Sequence, residues 1–235
     1  MKHDIASTDS MRILYDPDLV SFPKKGIFDA ENWPNVVPVN TGRGEAYFVS
    51  SDGRQWLIKT YCRGGFIRRL SRKTYFFIGY AQTRMFQEFL LLQYLIDRKV
   101  SVPRPVAALV EKNGMFYRGQ IILQQLQGYE SLSDLLAKKL ATFSQWEAVG
   151  TCIARLHKEH IDHKDLNVTN ILLRNNSVFI IDFDRCAKRR FGFFYFRKKN
   201  IKRFNRSIDK LMKQGVQITL EERKTFEIAY KAGLS

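Results

Sequence analysis

The sequence predicts an α+β fold of two lobes, a strand-rich half holding one helix and then a mostly helical half holding a small hairpin. Three observations carry this reading. The stretch EAYFVSSDGRQWLIKTY, 45–61, reads as two β-strands around the turn signal Asp52-Gly53. Residues 80–98 repeat apolar side chains at helical spacing, with Met85, Phe86, Phe89, Leu92, Leu95 and Ile96 on the pattern. In HIDHKDLNVTNILL, 160–173, Asp165, Asn167 and Asn170 favour turns, because their side chains compete for their own backbone. The aliphatic run Ile171-Leu172-Leu173 then starts a buried strand, so the stretch is a polar loop feeding a strand.

The remaining elements follow in order. Residues 1–35 hold Pro17, Pro23 and Pro34 with little periodicity and read as an irregular lead-in. The 80–98 helix stops ahead of Pro103 and Pro105. VAALVEKNGMFYRGQIILQQL, 106–126, reads as two strands around Asn113-Gly114. Two helical patterns come next, SLSDLLAKKL and SQWEAVGTCIARLHKEH, the second with Trp146, Val149, Ile153 and Leu156 on one face. The strand NILLRN, a turn at Asn175-Asn176 and the strand SVFIIDFD complete the small hairpin, and a helical, basic tail ends the chain. The expected division is an N-terminal lobe over 1–126 and a C-terminal lobe over 127–235.

At 235 residues the chain can bury a substantial core. The first twenty residues carry acids and no continuous apolar run, unlike a signal peptide. FLLLQYLI, 89–96, is too short to span a bilayer. Cys62, Cys152 and Cys186 are scattered and lack metal-type spacing, which fits a reducing compartment. The net charge of +16 implies an anionic partner. Residues 61–75 hold five basic residues and no acid, and residues 185–206 hold ten and no acid. Both interleave cations with Phe, Ile, Leu and Tyr, which suits lipid head groups over a merely solvated face. RNA binding uses similar residues, but no RNP-like or zinc-knuckle pattern accompanies them.

Four signals bear on chemistry. TGRGEAYFV places Gly42 and Gly44 where a strand turns, so that backbone N–H groups can approach phosphate oxygens. Lys59 lies in the apolar strand WLIKTY, on the same face as Leu57, and pointing inward it needs an anion. Glu88 is a carboxylate inside the amphipathic helix and a candidate partner for Lys59. Asp165, Asn170 and Asp182 flank one hairpin and form an oxygen-rich set suited to Mg²⁺ and phosphate.

Together, His163-Lys164-Asp165-Leu166-x-x-x-Asn170 and Asp182-Phe183-Asp184 resemble the catalytic loop and metal-binding aspartate of the protein-kinase-like fold. Gly42-Arg43-Gly44 resembles its glycine-rich loop and Trp56-Leu57-Ile58-Lys59 its lysine strand. The resemblance implies ATP and Mg as cofactors, with Gly42, Arg43, Gly44 and Lys59 at the phosphates and Glu88 holding Lys59. It further implies Asp165 orienting and deprotonating the acceptor hydroxyl, Asn170 and Asp182 on the metal, and backbone groups of Gln124 and Leu126 on adenine. His163 reads as a brace for the metal loop rather than a base. Tyr47 stands in place of the third loop glycine, and Asp184 in place of the glycine of Asp-Phe-Gly. Only 53 residues follow Asp182, without an Ala-Pro-Glu-like motif, so no protein substrate is expected.

GRGEAYFV, IKTYCRGGFIRRLSRKTYFF, TRMFQEFLLLQYL, VPRPVAA and HKDLNVTNILL are similar to 3-deoxy-D-manno-octulosonic acid (Kdo) kinases of lipopolysaccharide-core assembly. This resemblance implies phosphorylation of a Kdo hydroxyl, O4, on Kdo-lipid A precursor by a peripheral protein on the cytoplasmic side of the inner membrane. Arg63, Arg68, Arg69, Arg72 and Lys73 would then hold the acceptor's anionic groups, and the Arg189–Arg206 region would meet anionic head groups. No nucleic-acid partner is expected. The competing readings are a heptose kinase of the same core and a catalytically inactive kinase-like module that binds membrane or RNA.

Overall fold

The computed structural model describes residues 2–39, 45–61 and 74–235, which divide into two compact units. One comprises Met1–Gln93 and Arg104–Gln125, the other Tyr94–Pro103 and Leu126–Ser235. The fold class is α+β, as expected from the sequence.

The first unit is an antiparallel sheet of β1 (Asp4–Ser7), β2 (Met11–Tyr15), β3 (Asn35–Val39), β4 (Glu45–Ser51), β5 (Arg54–Thr60) and β6 (Tyr75–Phe76), joined by two later strands. Helix α1 (Arg84–Asp97) comes before those two, β7 (Pro105–Asn113) and β8 (Phe116–Gln124). The strand order is β1-β2-β7-β8-β5-β4-β3, with β6 also on β8. Strand β5 leaves β8 at Thr60↔Gln120 and β6 takes it up at Tyr75↔Tyr117, so β5 and β6 pair with successive stretches of one strand. The period-two alternation of β5 sends Trp56 and Ile58 into a core with Ile13, Phe28, Val49, Leu109 and Ile122. Lys59 falls on the opposite face, which α1 covers: Met85 lies so close over Gly119 that a Cβ there would meet its Sδ at 2.9 Å.

The lead-in corrects the expectation of irregular chain. It forms the hairpin β1–β2, and β2 pairs with β7 from Met11↔Glu111 to Tyr15↔Ala107. Its continuation then covers the core face of the sheet. Phe28 is fully buried, Trp33 meets the Trp56 ring edge-on at 5.1 Å, and Gln120 donates to the Phe28 carbonyl. Buried Asp16 accepts from Arg104 at 2.8 Å and anchors the hairpin's end. The partners lie about ninety residues away, so local periodicity could not announce this pairing.

The second unit contains β9 (Glu130–Ser131), α2 (Leu132–Ala137), α3 (Phe143–Lys158), β10 (Ile161–Asp162), β11 (Ile171–Arg174), β12 (Ser177–Ile180), β13 (Ala187–Lys188), α4 (Phe193–Lys213) and α5 (Leu220–Leu234). A capping box of Thr142 and Gln145 starts α3, whose Trp146, Val149, Ile153 and Leu156 are all buried. Helices α3 and α5 touch through Gly150, where a Cβ would stand 2.6 Å from the Phe226 carbonyl oxygen. Element ends shifted inward from expectation. α1 starts at Arg84, behind a 3-10 turn at Tyr80–Gln82, and α2 is a short helix that gives way before Lys139 at φ +58°. β12 stops at Ile180 because Asp182 adopts a left-handed φ of +64°.

Candidate active site

In the first unit the side chains brought together are Lys59 on β5 and Glu88 on α1, with Nζ and Oε1 4.0 Å apart. The helix turns Glu88 beneath the sheet, where its side chain is 1% exposed, while Lys59 keeps a quarter of its surface in solvent. A buried carboxylate needs donors. The Tyr61 hydroxyl supplies one to Glu88 Oε2. The Tyr61 ring lies under both the Lys59 ammonium, at 5.6 Å, and the Arg84 guanidinium, at 5.4 Å. Arg84 also donates to the Tyr75 hydroxyl at 2.8 Å, and its backbone N–H to Tyr117. Sequence reading singled out Lys59 and Glu88 but not the tyrosines. The strand alternation that carries Lys59 also sets Tyr61 on its face, a signal that could have found one of them.

Gln124 ends β8, and its N–H donates to the Arg104 carbonyl oxygen at 2.8 Å. Leu126 begins the second unit's longer segment. Gly42, Arg43, Gly44, Arg63, Arg68, Arg69, Arg72 and Lys73 lie outside the described residues.

In the second unit Asp165, Asn170 and Asp182 sit on two loops tied by hydrogen bonds. Asn167 caps the turn ahead of β11, accepting from the N–H groups of Thr169 and Asn170. Asn170 Nδ2 donates to the Asp165 carbonyl at 2.8 Å, which leaves Oδ1 as the end of the amide that a cation would use. The Ile181 N–H donates back to the Asn170 carbonyl at 3.0 Å. Between the loops stands His163, fully buried, with its ring edge-on to Phe183 at 4.9 Å. A carbonyl oxygen can only accept, so Nε2, 3.1 Å from Ile181 O, carries the ring proton; Nδ1 accepts the Asp165 N–H at 3.3 Å. Burial pushes its pKa down to about 4, so the ring is neutral. With both nitrogens engaged, His163 holds the residue before Asp182 and the backbone of Asp165.

A second tier of buried polar groups holds this loop from behind. Asn200 on α4 accepts the His163 N–H at 2.9 Å and donates to Asp162 Oδ1 at 3.1 Å. A backbone N–H can only donate and a carboxylate only accept, which fixes the orientation of this amide. His157 Nε2 must then donate to Asn200 Oδ1 at 3.3 Å, and its Nδ1 accepts from the Tyr230 hydroxyl at 2.7 Å. Burial pushes His157 down to about 4 and Tyr230 up to about 12, so both are neutral. Burial works to raise Asp162, but hydrogen bonds from Lys164 and Asn200, with Arg189 at 3.1 Å, hold it below the usual carboxylate range. Further along α4, Arg203 donates to the His163 carbonyl and Ser207 Oγ accepts the Val168 N–H. Sequence reasoning missed Asn200, Arg203 and Ser207. Their spacing of three and four along a helix is the only local signal they give.

Among the described residues no three His, Cys, Asp or Glu side chains gather into a metal cage. A Mg²⁺ ion takes one or two carboxylates and completes its shell with phosphate oxygens and water. The donors at Asp182 and Asn170 are hard oxygens of the right kind.

Comparisons with known proteins bear on the family of the chain. The model of the lipopolysaccharide kinase (Kdo/WaaP) family matches residues 33–230. The 3-deoxy-D-manno-octulosonic acid kinase of Vibrio parahaemolyticus is 37% identical over 221 residues, 92% of this chain and 91% of that protein. The enzyme of the same name from Xanthomonas euvesicatoria pv. vesicatoria is 38% identical over 85% of this chain and 80% of its own. That from Stenotrophomonas maltophilia is 34% identical over 94% of this chain and 91% of its own. The solved structure of WaaP in complex with acyl carrier protein superposes with a TM-score of 0.60 at 16% identity, covering 91% of this chain and 88% of that one, a likeness of fold. The chain therefore belongs to the lipopolysaccharide kinase (Kdo/WaaP) family and is a phosphotransferase that acts on a hydroxyl group.

Proposed function

We propose that this kinase transfers the γ-phosphoryl group of ATP to a hydroxyl, O4, of Kdo on Kdo-lipid A precursor, presented at the cytoplasmic side of the inner membrane. The curated relatives' shared name supports Kdo as acceptor. The observation that carries the catalytic part is the histidine brace, in which one neutral ring holds the backbone of Asp165 and the carbonyl of Ile181.

Bound Mg-ATP supplies the phosphoryl group and the charge neutralisation its transfer needs. Asp182 and Asn170 would hold the ion, and Lys59, kept in place by Glu88, would meet the α/β-phosphates. Gln124 has its N–H committed to Arg104, so its contact with adenine would come from its carbonyl oxygen, and Leu126 would offer its N–H. Asp165, exposed at the head of its loop, orients the acceptor hydroxyl and takes its proton as the phosphoryl group leaves. A loose transition state asks little early proton removal, so positioning is the larger part of its work. His163 is excluded as the base because both ring nitrogens are occupied.

The test is transfer of labelled γ-phosphate from Mg-ATP to purified Kdo-lipid A precursor, with wild type beside Asp165→Asn. Wild type transfers, and the variant loses about a hundredfold or more. No transfer to Kdo with Mg-ATP still bound would move the acceptor to a heptose of the same core. A wild type that binds no Mg-ATP would make the chain a kinase-like binding module.

A further inference from the structure

Helix α4 has two sides of opposite character. At about 100° per residue, Phe196, Asn200, Arg203, Phe204, Ser207 and Ile208 share one side, facing the core and the catalytic loop. Phe194, Tyr195, Lys198, Lys199, Lys202 and Arg206 fall on the other, and all six are exposed. Phe194 is 87% exposed and Tyr195 74%, and Phe191, just ahead of the helix, is 86% exposed. Three aromatic rings held in water at one end of a surface are costly unless something covers them. The cations that follow have no acid among them. The single acid of α4, Asp209, is paired with Arg223 at 2.9 Å.

We infer that this outward side of α4 is the docking surface for an anionic phospholipid bilayer, with Phe191, Phe194 and Tyr195 entering the head-group boundary and the lysines meeting lipid phosphates. The inference rests on the reading of a membrane-presented acceptor and names the surface that reads the membrane. Charge complementarity and the segregation of the rings select the occupant. Aromatic side chains settle at the lipid–water boundary, and basic residues beside them add attraction to anionic head groups. A single-stranded nucleic acid is better served by rings interleaved with cations, so that successive bases stack. Rings and cations interleave here in the sequence, but burial of Phe196 and Phe204 leaves the exposed rings, Phe191, Phe194 and Tyr195, together at one end. The two sides of α4 also make a mechanical unit. The helix that lies on the bilayer bonds His163 and Val168 directly, so docking fixes how the loop bearing Asp165 faces the lipid surface.

The experiment is co-sedimentation of the full chain with vesicles of phosphatidylethanolamine and phosphatidylglycerol, against vesicles of phosphatidylcholine. Wild type should sediment with the anionic vesicles alone. Phe194→Ser with Tyr195→Ser, and separately Lys198→Glu with Lys199→Glu, should each weaken binding about tenfold or more, with unchanged thermal melting because all four side chains are exposed. In Tyr195→Trp, indole emission should shift to the blue on anionic vesicles. Wild type that ignores these vesicles, or variants that bind as wild type does, would overturn the assignment. So would tighter capture by a single-stranded RNA oligonucleotide or by acyl carrier protein through the same residues. The assay contains no nucleotide and no acceptor. Transfer without vesicle binding therefore sinks the docking surface alone, and vesicle binding without transfer sinks the acceptor assignment alone.

Discussion

The two halves of the candidate machinery are held by different forces. Lys59 and Glu88, 29 residues apart, meet because apolar packing lays α1 across the sheet, and among the described residues Tyr61 is the one hydrogen-bonded to the buried carboxylate. Asp165, Asn170 and Asp182 stand on irregular backbone that packing alone would not fix, and the backbone N–H and carbonyl of both His163 and Asp165, with the N–H of Val168, are tied by hydrogen bonds to side chains. A pair set on regular elements needs few polar supports, because strand and helix already fix the backbone. A catalytic loop has no such scaffold. It borrows rigidity from buried polar groups, which are costly when left without a partner. Damage should therefore show as lost stability in the second unit and as lost nucleotide affinity in the first.

The sharpest way to break this comparison is Asn200→Leu. It leaves Asp162 Oδ1, the His163 N–H and His157 Nε2 without their shared partner, while Lys164 and Arg189 still hold Asp162 Oδ2, and chemical denaturation should show a loss of about 3 kcal/mol. Glu88→Gln keeps the hydrogen bond to Tyr61 but removes the charge facing Lys59. kcat/KM for ATP should fall on the order of a hundredfold, through misplacement of Lys59, while stability changes by less than about 1 kcal/mol. If the two variants exchange these signatures, the contrast is wrong.

Acid titration separates the halves again. His157 and His163 have folded pKa values of about 4 against an ordinary 6.5. The unfolded chain takes up their protons below pH 6.5, and the folded protein resists until about pH 4. Their stabilising contribution is therefore complete above pH 6.5 and lost as pH falls towards 4. At pH 5 the loss is about 2 kcal/mol per histidine. Denaturation curves at pH 7 and pH 5 should show it, and a flat profile would contradict the neutral, buried rings. The smallest effect belongs to Tyr61→Phe, which removes one donor to Glu88 and should cost about 1 kcal/mol in the same denaturation measurement.

Legibility followed the same division. The candidate loop's geometry could be read from HKDLNVTN because its cap and turn bonds span two to five residues, and the polar side chains that make them lie within the motif. Helix α3 was legible for a similar reason, its buried face repeating at helical spacing behind a capping box. The lead-in was not. MRILY gains its place from β7, about a hundred residues on, and the prolines around it suggest loop until that partner is known. Asn200 likewise looks like one more polar residue in a basic helix until the fold carries it to Asp162 and His163.

By itself, then, the sequence determined the kinds of element, the turn-and-cap pattern of the candidate catalytic loop and the excess of positive charge. These depend on periodicity, turn chemistry and composition, all local or additive. Only the tertiary structure decided that the lead-in completes the sheet, that Tyr61 supports Glu88, and that α4 divides into a loop-holding side and an exposed aromatic and basic side. Each of these depends on long-range burial, where a polar group's partner and a helix's free face are set by what packs against them.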